Sequence, residues 1–435
     1  MDLCGDWGRV MQQRVVIIGA GVVGVLSAYA LATRGAKVTL IDSQPGPAEG
    51  CSRANAGILA VGHASAWASP SAIGSITRAL LRREPGIRVT RPTDPALWAW
   101  GAQFLRNCTA SAHATNTSKL QRLSRMSRNL TQKIEADLGL TGSLRHEGGL
   151  YLFQNLAQFR AHAATLAQGG ARADDQMEVL DSDALIQRDP ALATMPEHLA
   201  GGIYSPVDSV GNCHSFTKAV SEVIARKFDV ALHFGTHVTG FETDGRTITG
   251  VKTDHGARAA DAVLLATGTG TAALTRQLGF APAIYPVKGY SGSWTIRDPD
   301  RIPRLPYVDE TELLAVACYG GQLRVTAMAE FAGQSDLSLP DTRLDVLRAY
   351  VARQFGDAVD AHSASFWTGQ RPSTPAGPPF LGRVRRWDNL WINAGHGQLG
   401  WTMAAGCGDV IARAMTAETP TLRDVSSTAR WLDAL

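Results

Sequence analysis

The six cysteines of this 435-residue chain are scattered, with no C-x-x-C pair among them. That spacing excludes a thiolate metal site, so no metal is expected, and a disulfide framework does not suit so long a chain. A reducing, cytoplasmic compartment fits such usage. Charge of one sign is also lacking: the formal net charge is +3, which argues against a nucleic-acid partner. No internal repeat or low-complexity tract is present, which excludes solenoids. The opening MDLCGDWGRV has no apolar segment of the kind a secretory signal needs. Residues 1–10 read as a disordered leader, with Met11 as an alternative start. Long hydrophobic runs are scarce too. Val15 to Ala32 only just reaches spanning length, and glycines, Ser27 and Tyr29 interrupt it.

What that run does contain is ordered. Val15 to Ile18 is a β-branched stretch that reads as a buried parallel strand. Gly19, Gly21 and Gly24 follow in G-x-G-x-x-G spacing, then a helical segment, Val25 to Ala32, and a second strand, Lys37 to Ile41, ending in Asp42. Gly19 permits the tight turn, Gly21 admits a pyrophosphate to the backbone, and Gly24 lets helix and strand pack closely. The helix N-terminus offers free N–H groups to phosphates, and Val22 and Val23, inside the glycine motif, are expected at the cofactor. Asp42, with Ser43 beside it, stands at the spacing of about 20 residues where an acid bonds an adenosine ribose. Together these make a dinucleotide site.

The length exceeds the roughly 250–300 residues at which a single core stops growing, so two lobes are expected. Residues 120–138 and 213–228 read as helices, 149–153 as a strand, and 313–331 as a hairpin about Gly320-Gly321. Residues 233–268 read as short strands supplying the adenine-side strand, with His237 and Val238 at the cofactor. They end in a buried strand, Ala262 to Ala266, and the loop Thr267-Gly268. A second glycine-rich loop, Gly395-His396-Gly397-Gln398-Leu399-Gly400, precedes a helix over Trp401 to Met415. Its N-terminus can face the pyrimidine edge of a flavin, where negative charge builds on reduction.

The Gly motif, SRANAGIL (52–59), YPVKGYS (285–291), FWTGQRPSTPAGPPFLG (366–382) and LWINAGHGQLGWTMAAGCG (390–408) occur in an order that resembles bacterial FAD-dependent D-amino-acid dehydrogenases. These belong to the D-amino-acid oxidase and glycine oxidase superfamily. The resemblance covers nearly the whole chain. It implies an α/β fold: a Rossmann-like FAD-binding domain (11–90, 200–281, 364–420) and a discontinuous antiparallel-sheet substrate domain (91–199, 282–363). It implies non-covalent FAD and oxidation of a D-amino acid by hydride transfer from Cα–H to flavin N5. The imino acid then hydrolyses to a 2-oxo acid and ammonia, and electrons pass to a membrane quinone rather than oxygen. The segment YSPVDSVGNCHSF (204–216) and Gln370 to Pro375 depart from the family pattern. Cyclic or N-substituted substrates such as D-hydroxyproline, D-proline or sarcosine therefore remain open, and so does an oxidase.

Arg371, after Gly369 and Gln370, resembles the carboxylate-binding arginine of the superfamily; a guanidinium fork matches a carboxylate in two bonds. A strand-capping arginine is the structural alternative. Tyr290 can reach the carboxylate through its hydroxyl, or serve as a half-buried strand tyrosine; Tyr319 is a further candidate. His396 titrates near neutral pH when unperturbed, but its loop position points to flavin contact rather than acid–base work. Asn55, Ala56 and Gly57 should lie by the isoalloxazine. Ser52 and Arg53 should bond the pyrophosphate, unless Ser52 is an ordinary N-cap. Cys407 reads as a core cysteine, and nothing marks Cys51 as a flavin tether. In residues 71–92, Ile73, Ile76 and Leu80 share a helical face among arginines. That segment suits peripheral contact with an anionic inner-membrane surface, or an ordinary packed surface helix.

Overall fold

The strand Arg14–Ile18 buries every residue after its first because it has a parallel neighbour on each side. Ile18 pairs with Ile41 on one flank and with Leu265 on the other. A computed structural model describes residues 13–80, 86–167, 176–334 and 336–416. In it the first sheet runs in the order Ala231–His233, Lys37–Ile41, Arg14–Ile18, Ala262–Leu265, Leu390–Ala394, Phe380–Arg383. All pairs are parallel except the last. The helices Val22–Ala32 and Gly400–Met415 pack together on this sheet. A Cβ at Gly408 would lie 3.0 Å from the Leu26 carbonyl oxygen, and one at Gly406 2.9 Å from that of Leu123. The small residues of the C-terminal helix thus admit two other helices, Val22–Ala32 and Ala110–Leu138, into contact with its backbone.

The second lobe is a nine-stranded mixed sheet in the order Val359–Ser373, Tyr285–Ile296, Gln322–Phe331, Leu314–Tyr319, Tyr307–Asp309, Gly149–Phe153, Gly201–Ser205, Glu178–Leu180, with Ile87–Val89 also paired to Gln322–Phe331. The expected hairpin is there: Gly320 and Gly321, at φ 58° and 72°, make a turn that favours glycine at both positions. The helix Cys213–Phe228 matches its expected span, and the helix expected at 120–138 extends back to Ala110.

Several expectations need correction. The strand beside Lys37–Ile41, expected from the hairpins, is Ala231–His233, whereas the hairpins after it form a separate three-stranded antiparallel sheet, Val238–Asp244, Thr247–Thr253 and Gly256–Ala259. The boundaries at 90, 200 and 364 move, because Ile87–Val89, Gly201–Ser205 and the whole of Val359–Ser373 belong to the nine-stranded sheet. Hydrogen-bonded registry, which short-range patterns do not carry, decides these memberships. The leader at 1–10 and the domain bound expected at 420 lie outside the described residues. Among the described residues no helix is long and apolar enough to cross a membrane.

Candidate active site

Between the two sheets lies a cavity of about 1210 Å³ that takes in both glycine loops and Arg371. At one end the N-terminus of the first helix opens into it. Gly19 adopts φ 105° and receives the chain from the first strand, its N–H donating to the Ile41 carbonyl at 2.8 Å. A Cβ at Gly24 would stand 1.8 Å from the Gly19 carbonyl oxygen, so Gly24 serves helix–strand packing and does not line the cavity. The helix has no side-chain cap of its own and no acid in its first turn. Instead Ser52 Oγ accepts from the Val22 N–H at 3.1 Å.

Asp42 lines the cavity beside Ser43, with His237 and Val238 nearby. Its Oδ2 accepts from the Ala20 N–H at 2.6 Å and its Oδ1 from the Gln44 N–H at 2.8 Å. Burial pushes its carboxyl above the usual range, against those N–H groups. The carboxylate is therefore not a free surface group: it ties the strand end to the glycine turn.

The second loop closes the middle of the cavity. Gly397, Gln398, Leu399, Gly400 and Trp401 line it, with Ala266, Thr267 and Gly268 from the neighbouring strand end and Asn55 and Ala56 opposite. The C-terminal helix starts there without a side-chain cap or an acid in its first turn. Buried polar atoms collect at this point. His396 Nε2, Asn393 Oδ1 and Trp401 Nε1 lack a hydrogen-bond partner among the described residues, although the three residues are at most 4% exposed and all line the cavity. Such groups are costly unless a ligand completes them. Burial pushes the His396 imidazole down to about 3, so it is neutral at physiological pH. The uncapped helix ends, orphaned donors and acceptors and glycine-lined walls suit a large anionic dinucleotide with a polar ring system.

Above this floor the nine-stranded sheet turns Trp367, Gly369, Gly289, Ser291, Thr326 and Ala315 toward the cavity. Arg371 leans across Gly289, where a Cβ would meet its guanidinium at 2.4 Å. The guanidinium donates to the Met328 carbonyl at 2.8 Å. Met328 has φ 68°, at the irregularity that lets Lys288 face Glu330 while Tyr290 faces Ala327. The bulge turns that carbonyl off the ladder. No carboxylate reaches Arg371 among the described residues, and burial lowers the guanidinium from its ordinary value.

Four predicted residues besides Gly24 fall outside the cavity lining. Arg53 points outward and pairs with Glu49 at 2.6 Å, so it is not at the pyrophosphate. Gly57, at φ 74°, lets the Tyr319 ring pack behind it, a Cβ there falling 2.3 Å from that ring; Tyr319 is thus shielded from the cavity. Gly395 turns the loop against Thr374. Tyr290 also needs correction. Its backbone borders the cavity, but its hydroxyl donates to Glu330 at 2.8 Å in the second lobe's core, and Glu330 is paired with Arg343. Strand alternation points its ring away from Arg371. Cys407 is fully buried, as expected. Cys51 lines the cavity, its thiol donating to the Gln370 carbonyl at 2.5 Å. Sequence reasoning missed His63, Glu310, Asn393 and the aromatic arm formed by Trp67, Trp98, Trp100 and Phe104.

The helix Ala72–Leu80 divides the stripe proposed for residues 71–92. Ile73 is exposed while Ile76 packs on the aromatic cluster of Trp100 and Phe104. Arg82 and Arg83 lie outside the described residues, as does the Leu80 side chain.

Comparison with known proteins places this geometry. A family model described as FAD dependent oxidoreductase matches residues 14–414. A D-amino acid dehydrogenase of Cereibacter sphaeroides is 39% identical over 410 residues, covering 94% of this chain and 92% of that protein. One of Bradyrhizobium diazoefficiens is 37% identical, covering 95% and 97%. Among solved structures, glycine oxidase from Bacillus cereus aligns with a TM-score of 0.70 at 19% identity, over 95% and 97% of the two chains. L-proline dehydrogenase from P. horikoshii aligns at 0.72 and 18%, over 97% and 98%. At such identities the structural matches speak to the fold alone.

Proposed function

Because the chain belongs to the family of FAD-dependent oxidoreductases, in which it is an enzyme of amino-acid oxidation, we propose that its substrates are D-amino acids and its electron acceptor a quinone. The observation that carries the substrate class is Arg371, a desolvated cation in the cavity wall with no carboxylate partner among the described residues. A substrate carboxylate completes it with two charge-assisted bonds. The D configuration is supported by the names of the relatives at 37–39% identity.

FAD, when bound, accepts the hydride lost from the substrate's Cα. Two helix N-termini and the unpartnered atoms of His396, Asn393 and Trp401 would hold it, without a covalent link. Val22, Val23 and Ser52 would serve its pyrophosphate, and Asp42 its ribose. Arg371 orients the carboxylate; Gly289 gives the guanidinium room and Met328 fixes its angle. His396 stays neutral, so it adds no positive charge opposing loss of hydride from a neutral amine. Arg371, Trp367 and Thr326 on the sheet side exclude bulk water from the reacting carbon.

The acceptor reading is supported by the cavity's apolar arm. Ile76, Val89, Leu97, Trp98 and Leu105 line it. Trp98 and Leu105 are also 56% and 49% exposed, so the arm opens beside an apolar surface. A lipid-borne quinone could enter there, with the protein peripheral on the cytoplasmic face of the inner membrane.

The test mixes oxidised holoenzyme anaerobically with D- and L-amino acids, D-hydroxyproline and sarcosine while flavin bleaching is followed. D-amino acids should bleach it, and a soluble quinone should reoxidise it faster than air. Bleaching only by L-amino acids overturns the stereochemical reading, and rapid oxygen uptake overturns the acceptor.

A further inference from the structure

We infer that Glu310, backed by His63, selects substrates whose side chain ends in a cation, D-arginine and D-lysine being the simplest. The inference rests on the reading that the substrate carboxylate meets Arg371. Glu310 and His63 line the same cavity as Arg371. The Glu310 side chain is only 13% exposed, and among the described residues the side chain paired with it is His63, through Nδ1 at 3.3 Å. The pair is built into the fold. The His63 ring stacks on Tyr151 with centroids 4.8 Å apart. Its loop is pinned where the Gly62 N–H donates to Asp208 at 2.8 Å, and Asp208 also receives the Tyr151 hydroxyl. A carboxylate so shielded costs free energy unless donors complete it. One imidazole nitrogen at 3.3 Å leaves the second oxygen open to a ligand.

Sheet register sets the distance. Gly369 faces Gly289, Ala327 faces Leu314, and Leu314 faces Asp309. The row through Ala327, Leu314 and Asp309 starts at Tyr290, whose ring points away from Arg371. Glu310, next after Asp309, therefore alternates to the face of Gly289 and Arg371 and ends the cavity-side row of the five strands that begins at Gly369. The guanidinium, lying over Gly289 and bonded to Met328, starts from the second and third strands of that row. Two to three strand steps of about 4.8 Å remain, roughly 10–14 Å. One charge-assisted bond of about 2.8 Å at each end leaves roughly 5–8 Å, the reach from a carboxylate to the tip of a lysine or arginine side chain. Ala315, Thr326 and Val308 line the cavity in the next row of the same face and offer small, largely apolar contacts to a methylene stem.

The experiment measures kcat/KM of the holoenzyme for D-arginine, D-lysine and D-norleucine, with a soluble quinone as acceptor. The ratio of D-arginine to D-norleucine should be well above one in the wild type and fall at least tenfold in Glu310→Gln. Calorimetry with guanidinovalerate and valerate, which cannot be oxidised at an amine carbon, gives a second readout. The wild type should bind guanidinovalerate at least tenfold tighter, and Glu310→Gln should remove most of that preference. Glu310→Lys should invert it toward D-glutamate, and FAD content reports that each variant has folded. An unchanged ratio in Glu310→Gln, or equal binding of the two acids by the wild type, overturns the inference while D-amino-acid oxidation stands. A wild type reduced by no D-amino acid overturns both.

Discussion

Replacing Arg371 by leucine tests the substrate argument most directly. In the free protein the guanidinium is desolvated, makes one bond to the Met328 carbonyl and has no counter-ion among the described residues. A carboxylate arriving there forms a desolvated, bidentate pair, and removing one partner of such a pair typically costs about 2–5 kcal/mol. At about 1.36 kcal/mol per tenfold, this is a loss of roughly 30-fold to several thousandfold in kcat/KM. Arg371→Lys keeps the charge but not the planar fork, so it should fall between leucine and wild type. The rate of flavin reduction should fall with affinity, because a loosely held acid lets Cα drift from its reactive position. Anaerobic stopped-flow bleaching of the flavin separates the two effects. Thermal stability without substrate should not drop in the leucine variant, since a half-buried, desolvated cation with no counter-ion among the described residues has been removed, and FAD content should be unchanged. Normal reduction kinetics in Arg371→Leu would refute the assignment and place the carboxylate elsewhere.

Tyr290→Phe should leave turnover within about twofold and cost about 1 kcal/mol of stability, because its hydroxyl serves Glu330; a tenfold loss of kcat/KM would restore it to the site. Asp42→Ala should lower FAD retention on gel filtration, and also destabilise the apoprotein by about 1–3 kcal/mol, because the Ala20 N–H loses its acceptor; undiminished FAD content would remove Asp42 from the ribose. Flavin should leave with acid or heat denaturation, and colour that stays on the chain would implicate Cys51, the cavity-lining thiol. His396 is held neutral, at about 3, against about 6.5 in an unfolded chain. As pH falls from about 6.5 toward 3 the unfolded chain takes up a proton that the folded one refuses, so stability is lost across that window. His396→Gln should flatten the acid arm of the Tm–pH curve, and coincident curves would mean that the folded imidazole protonates freely.

The legible parts of the sequence were those fixed by local rules. Gly19, Gly21 and Gly24 each answer a steric demand within one turn, and the structure meets those demands with Gly24 packed on the Gly19 carbonyl. The strand, helix and strand around them follow from apolar runs and their breaks. The Rossmann-like lobe and the second glycine loop were visible for the same reason. What escaped was set by registry between distant strands. Tyr290 reads as a site residue because its hydroxyl can reach a substrate carboxylate from the strand after Pro286. Yet the irregularity at Met328 sends its hydroxyl to Glu330, forty residues away. Glu310 stands in a hairpin with no motif at all, and only its pairing row brings it to the cavity that Arg371 shares. Arg53 was misread because a charge beside a phosphate loop looks like a phosphate ligand, whereas Glu49 four residues earlier claims it.

The electrostatics of the cavity argue for anions at both of its working ends. Two helix N-termini without acidic first-turn residues point at it, each carrying partial positive charge in a poorly hydrated space. Arg371 adds a full charge under the second sheet. At the dinucleotide end the Asp42 carboxylate, which would oppose this pattern, is occupied by backbone N–H groups, and His396 is neutral and adds no charge of its own. A neutral imidazole beside an uncapped helix leaves the helix dipole as the fixed source of positive potential at the ring-binding end, one that does not titrate in the physiological range. Arg371 does the same at the substrate end, because a guanidinium keeps its charge even when burial lowers its pKa. Both ends therefore hold their polarity across physiological pH. The amine of the substrate, which must be neutral to give up hydride, is then the group whose titration the rate should follow.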